Sequence, residues 1–243
     1  MAARFYKCPK TGKNLPSVTT ITSMLDKPAL VWWAANCACE YIINELEQFC
    51  VPSNPNEEEN HSIELEVLFP IIESARKNFR KVSAKAMDIG SAAHAAIERY
   101  LKTGQEPEAP SDEVLSAFLA FLGWLDTWES YETVKTEHTV YADRYAGTTD
   151  WFVMLNGKKY AIDFKTYNEE SKSQPPYDEA KYQIAGYRQT DETIKGCGLL
   201  YLGKLTGKQK WVDTSDTYEQ DLKIFNILTD LWYAKEGAWK EKN

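Results

Sequence analysis

The chain has no long apolar run. No stretch approaches the ~18 consecutive apolar residues of a membrane span, and the opening MAARFYKCPK carries no apolar signal-peptide region. An intracellular, cytoplasmic protein with no membrane partner is therefore expected. Cysteine is sparse: Cys8, Cys37, Cys39, Cys50 and Cys197 make an odd count, which points to reduced thiols and not to a disulfide framework. The Cys37-Ala38-Cys39 spacing is not that of a zinc knuckle. Internal repeats and low-complexity tracts are missing as well. Basic charge is short, with 28 Lys and Arg against 36 Asp and Glu and a net charge of −8. A passive binder of polyanions usually carries the opposite excess, because phosphate neutralisation supplies much of its affinity. An enzyme is less constrained, since a local basic channel suffices.

What is present is enough apolar material for a substantial core: 243 residues, 43% of them hydrophobic, which suits one large domain or a core with a helical extension. After polar turns, the chain reads as helical from about 19 to 50, interrupted at Pro28 and carrying Trp32, Trp33 and Tyr41. The stretch VPSNPNEEENHS (51–62) reads as a loop. A second helical stretch runs from about 63 to 102, with a break expected at Pro70 and a C-cap at Gly104. It holds the run RKNFRKVSAK, which puts Arg76, Lys77, Arg80, Lys81 and Lys85 on one helix. That stripe is either a solvated face or a track for an anionic partner. Ser111 caps a third helix expected to reach about 131.

The hydrophobic period then changes. Strand character marks VKTEHTVYAD, TTDWFVML, KKYAIDFKT, CGLLYLGKL and KQKWVDT, with a helix at 178–190 before the fourth and a last helix from about 217 to 240. The expected class is α/β (α+β): a mixed β-sheet core in residues 132–243, flanked by helices, with a mainly helical region in residues 1–131. The two regions are expected to form one compact unit.

The most informative segment is TTDWFVMLNGKKYAIDFKT. Asn156-Gly157 between two strand-like runs is the strongest short hairpin signal and favours a two-residue type I′ turn. Leu155 then pairs with Lys158, and the same register sets Asp150 opposite Asp163, with Cβ atoms roughly 4.5–5.5 Å apart. Lys165 shares their face. The other face carries Trp151, Val153, Leu155, Tyr160, Ile162 and Phe164 and reads as core. Like charges directly opposite destabilise a sheet, and a divalent cation between them turns repulsion into coordination. The plain alternative is a solvent-facing pair of strands with chance acids, because a slip of one residue would separate the two.

These residues resemble the PD-(D/E)XK nuclease superfamily, in particular its RecB-like branch, which includes mitochondrial genome maintenance exonuclease and phage exonucleases. Asp150 in GTTD matches the first acid of the motif and Asp163-Phe164-Lys165 the D-x-K element. The proline that names the superfamily does not precede Asp150. Gln183-Ile184-Ala185-Gly186-Tyr187 resembles the Q-x-x-x-Y helix, Gly90-Ser91-Ala92-Ala93-His94 the upstream G-x-x-x-H helix, and LPSVTTI with Trp32-Trp33 the N-terminal signature. The resemblance implies a restriction-endonuclease-like sheet core and a metal-dependent DNA exonuclease of viral, repair or recombination DNA processing.

It further implies that His94, Asp150, Asp163 and the Phe164 carbonyl hold Mg²⁺ or Mn²⁺, with Glu137 as an additional candidate. Lys165, Asp163 and Asp150 would be catalytic; Gln183 would position the lysine or substrate, and Tyr187 a phosphate. DNA, single-stranded or as an end-containing duplex, is the implied partner, with Arg76, Lys77, Arg80 and Lys81 along its path. Iron–sulfur members of the superfamily carry three cysteines after the core, where this chain has Cys197 alone, so no cluster is expected. By itself His94 is a common type of core histidine, and Trp32 and Trp33 are either core or base-stacking. A non-catalytic DNA-binding or recombination-partner module on the same fold is the rival reading, and an unrelated metal hydrolase a third.

Overall fold

A computed structural model describes residues 3–48, 63–171 and 175–237. The expected loop at 51–62, Cys50 and the expected end of the last helix at 238–240 lie outside the described residues. The chain groups into two compact units, residues 26–88, and residues 1–25 with 89–243.

In the smaller unit, α2 (Pro28–Glu47) begins at Pro28 instead of being interrupted by it. Proline's fixed φ suits the first turn, where its missing N–H has no intrahelical partner to lose. The following helix, α3 (Leu65–Thr103), runs unbroken through Pro70, contrary to the expected break. Pro70 stands in the second turn, so it removes a single bond near the helix start and its ring meets little preceding helix. Asn78 Nδ2 donates to the Cys37 carbonyl at 3.0 Å and ties the two helices. Gly104 ends α3 as expected, with φ +69° and its N–H on the Tyr100 carbonyl at 2.8 Å.

The larger unit opens with a short hairpin, β1 (Phe5–Lys7) and β2 (Asn14–Pro16), where only polar turns were expected. Strands of three residues are too short to show an alternating pattern. Ser17 caps α1 (Val18–Thr22) by accepting from the Thr20 N–H at 2.9 Å. Ser111 does the same for α4 (Asp112–Leu125) through Val114. This helix stops at Leu125, short of the expected 131, because the chain turns there and Tyr131 already pairs with Leu155 in the sheet.

Five strands follow: β3 (Tyr131–Tyr141), β4 (Ala146–Leu155), β5 (Lys158–Tyr167), β6 (Gly196–Gly203) and β7 (Gln209–Asp213), hydrogen-bonded in that order. All neighbours are antiparallel except β5 and β6, which are parallel and joined through α5 (Asp178–Arg188). The last helix, α6 (Tyr218–Trp232), continues into one π-helical turn (Tyr233–Gly237). This is an α/β fold with a mixed sheet flanked by helices, as a restriction-endonuclease-like core requires. Among the described residues no helix is long and apolar enough to cross a membrane.

Two cores lie on the two faces of the sheet. Trp151, Val153, Leu155, Tyr160, Ile162 and Phe164 join residues of α4 and the C-terminal part of α3 in one, the face that alternation along the strands marks as core. Phe152 and Ala161, on the face expected to be open, join α1, α5 and α6 in the other. That face is therefore itself packed, and Asp163 and Gln183 are buried within it. The reason is β6: every one of its residues is buried, since parallel strands in such sheets are covered on both faces.

Candidate functional site

Asn156 (φ +44°) and Gly157 (φ +78°) form the turn between β4 and β5, and the ladder runs from Leu155↔Lys158 to Trp151↔Ile162. This is the register expected from Asn-Gly. The ladder stops one pair short of Asp150 and Asp163. There the Phe164 N–H donates not to a strand carbonyl but to Asp150 Oδ2, at 2.6 Å. The acids therefore sit at a fork between two strands.

The neighbouring strand brings a further acid to the fork. Glu137 lies between the pairs Thr136↔Trp151 and His138↔Thr149, in register with Asp150. Its φ of +44° is left-handed, a conformation that costs an L-residue about 1–2 kcal/mol. Such a bend interrupts the alternation of side chains along a strand. Glu137 meets His94 and Asp150, while the next residue, His138, meets Lys135 Nζ at 3.1 Å and the ring of Phe152.

His94 comes from α3, whose Ala93, Ala96 and Ile97 are buried in the first core. Its ring packs edge-on against Phe164, with centroids 5.9 Å apart. Nδ1 lies 3.5 Å from Asp150 Oδ1 and Nε2 lies 3.1 Å from the Phe164 carbonyl oxygen. One ligand atom each from His94, Glu137 and Asp150 fall within 4.8 Å of one another.

Asp163 belongs to a second, adjoining group. It is only 2% exposed; its Oδ2 lies 2.5 Å from Lys165 Nζ, and its Oδ1 accepts from Gln183 Nε2 at 3.1 Å. Gln183 and Tyr187 stand one turn apart on α5, with Gln183 Nε2 3.3 Å from the Tyr187 hydroxyl. Tyr187 is buried, and position 147 is glycine because a Cβ there would lie 2.6 Å from Tyr187 Cε1.

The electrostatics follow from this crowding. Burial would push the His94 pKa down, but the Asp150 carboxylate outweighs it and holds the imidazole above its ordinary value. Asp150 is also pushed up by burial, and the charge of His94 reverses that, leaving it low. Burial raises Asp163 to about 6 despite Lys165. Lys165 is lifted above its usual value, the charges of Asp163 and Asp150 exceeding the effect of burial. Glu137 is raised, first by desolvation of its carboxyl against the cluster and then by the charge of Asp150. Tyr187 is driven well up by burial and stays a neutral phenol.

The sequence-derived candidates thus divide. His94, Glu137 and Asp150 come together with the Phe164 carbonyl beside them, and Asp163, Lys165, Gln183 and Tyr187 form the adjoining chain of contacts. Arg76, Lys77, Arg80 and Lys81 are exposed on α3 in the smaller unit, Arg76 pairing with Glu73 at 2.9 Å. Trp32 is exposed too. Not foreseen from the sequence is a row of hydroxyls, Tyr6, Thr148 and Thr139, spaced 3.2 and 3.3 Å apart across β1, β4 and β3. Thr148 stands two residues before Asp150, which was its one visible signal.

No family model matches the chain, and no curated protein does. Among solved structures, the crystal structure of SSO0001 is similar at 13% identity over 80% of this chain and 85% of that one, with a TM-score of 0.31. An alkaline exonuclease (LHK-Exo) from Laribacter hongkongensis is similar at 11% identity over 69% of this chain and 87% of that one, with a TM-score of 0.33. Both TM-scores lie below 0.5, so neither likeness bears on function.

Proposed function

We propose that the chain is a divalent-metal-dependent deoxyribonuclease of the PD-(D/E)XK type, of its RecB-like branch, acting as an exonuclease on single-stranded or end-containing DNA. The observation that carries the reading is the meeting of His94, Glu137 and Asp150 within 4.8 Å, on a strained strand, beside the Asp163–Lys165 pair. Two carboxylates held that near one another repel, and Asp150 raises the carboxyl of Glu137. Costs of this kind concentrate at functional sites.

The donor set fits Mg²⁺ or Mn²⁺: carboxylate oxygens, a peptide carbonyl and one imidazole are the ligands such ions accept. His94, Glu137, Asp150 and the Phe164 carbonyl would hold the ion, with Asp163 adjoining. Such an ion, when bound, supplies a nucleophilic water at neutral pH and positive charge for a phosphate oxygen. His94 already faces acceptors at both ring nitrogens, so its ring is fixed in place and would give up a proton to hold the ion. Asp163 fixes the ammonium of Lys165, which stays charged at neutral pH. Lys165 therefore acts on developing negative charge and not as a base. Gln183 orients Asp163, and Tyr187 is a positioning residue behind Gln183.

The test is metal-dependent loss of an end-labelled oligonucleotide, repeated with Asp163→Asn. Wild type should cleave with Mg²⁺ or Mn²⁺ and stop on chelation. The variant should keep its circular dichroism spectrum and lose about three orders of magnitude in rate or more. Turnover near the wild-type rate would reject the assignment, and DNA binding without any wild-type cleavage would favour a non-catalytic module.

A further inference from the structure

On the α5 side of the sheet a cavity of about 330 Å³ opens between β3, the start of β5, the residues after α5 and the loop between β1 and β2. Lys10, Lys135, His138, Thr139, Lys159 and Asp191 are among its lining residues. The acid in that lining is already engaged: Asp191 accepts from Lys159 Nζ at 2.7 Å and from the Thr193 N–H and hydroxyl at 2.9 and 2.6 Å. Against the effect of desolvation, these bonds hold its carboxyl at about 2. Lys159 is thereby committed to Asp191. Among the described residues neither Lys10 nor Lys135 has a carboxylate within ion-pair distance. Lys135 Nζ is instead held 3.1 Å from His138 Nε2, on the cavity wall. In a chain of net charge −8, uncompensated lysines brought to one concavity from residues 10 and 135 make a local positive site.

The cavity is also connected to the carboxylates. Thr139 lines it, Thr139 contacts Thr148, and Thr148 lies two residues before Asp150 on β4. Along β3, Lys135 and Thr139 each stand two residues from Glu137, about 7 Å at the usual strand rise. A stacked strand of nucleic acid advances about 3.4 Å per nucleotide, so the same span covers about two nucleotides.

We propose that this cavity is a second phosphate subsite, where Lys10 and Lys135 with the Thr139 hydroxyl hold a backbone phosphate of the bound DNA strand about two nucleotides from the cluster of His94, Glu137 and Asp150. It rests on the nuclease reading for the identity of the strand. The β3 bend serves both sites: its left-handed residue sends Glu137 to the carboxylates and the next side chain, His138, to Lys135. A backbone contact of this kind holds the strand in register and reads no base.

Equilibrium binding of a fluorescent single-stranded DNA of about twelve nucleotides, followed by anisotropy in Ca²⁺ over a range of salt, tests it for the Lys10→Ala/Lys135→Ala double variant. Affinity should fall about tenfold, and the dependence of log K on log salt should flatten by about 0.7 for each phosphate that is no longer neutralised. A Lys208→Ala/Lys223→Ala control loses the same charge from exposed positions elsewhere and should keep the wild-type slope. An unchanged slope in the first variant, or equal losses in both, overturns the subsite. A free anion is the rival occupant. If inorganic phosphate raises the melting temperature of wild type and not of the variant while DNA affinity is untouched, the strand is not what the cavity takes. The two readings fail separately: DNA bound and never cut removes the nuclease and leaves the slope to judge the subsite, whereas DNA cut with an unaltered slope removes the subsite alone.

Discussion

Glu137 holds a backbone conformation that glycine adopts without cost, and its carboxyl is pressed toward that of Asp150. Glu137→Gly relieves about 1–2 kcal/mol of left-handed strain, offset by about 0.5–1 kcal/mol of chain entropy, and removes a repulsion. The metal-free variant should thus be as stable as wild type or up to about 1.5 kcal/mol more stable by urea denaturation, yet gain less from added Mn²⁺ in a thermal melt. A variant clearly less stable without metal would mean that the bend is held by something other than function. The pH dependence has a definite sign. Asp163, raised to about 6 in the fold, binds its proton more tightly folded than unfolded, so its stabilising share is complete below the unfolded carboxylate range and lost as pH climbs through about 6. A bound cation restores it, so the rise in melting temperature on adding metal should grow between about pH 5 and 7.

The β4–β5 hairpin shows how far local chemistry reaches. Asn156-Gly157 both adopt positive φ, and that alone set the register of the whole ladder, because a two-residue turn leaves one way to pair the strands. Gly157→Ala puts a Cβ into the left-handed turn and should lower stability by about 1 kcal/mol or more in chemical denaturation. A neutral result would show that packing, not the turn, fixes the register. The site's outline was legible for the same reason: Asp150, Asp163 and Lys165 follow from counting along one hairpin. What counting could not reach is the fork itself. The Phe164 N–H turns to the Asp150 carboxylate and ends the ladder early, and Glu137 arrives through a bend with no sequence signature. Nor could a reading of single strands foresee that Phe152 and Ala161 are covered, since that depends on α5 and α6 lying across the sheet.

Across the whole molecule, charge is the property that the proposed polyanionic substrate would have to overcome. With a net charge of −8, the exposed stripe of Arg76, Lys77, Arg80 and Lys81 on α3 is the densest source of local compensation, and we propose it as a DNA-binding surface of the smaller unit. Residues 76 and 80 and residues 77 and 81 are helical neighbours one turn apart, which suits tracking a backbone. Replacing Arg76, Arg80 and Lys81 by Ala should weaken binding of single-stranded DNA and flatten its salt dependence by about 0.7 per phosphate left unneutralised. Binding curves that superimpose on wild type at every salt concentration would return the stripe to an ordinary solvated face. The order of helices and strands was legible at this scale because the hydrophobic period switches once, near residue 131. The two-unit grouping was not, because α3 runs continuously across its boundary at 88.

The hydrogen bond between Gln183 and Asp163 bears on timing. Gln183 reaches Asp163 from α5, and α5 is backed by α6, where Phe225 packs so closely on Gly186 that a Cβ there would lie 2.8 Å from its ring. The parts of the site are thus dealt out along much of the chain, from His94 to the helix that steadies Gln183. At about 5–20 residues per second on the ribosome, the carboxylates emerge well before the helix that holds them in order. A nascent chain thus carries the acids before it carries the arrangement that α5 and α6 impose on them.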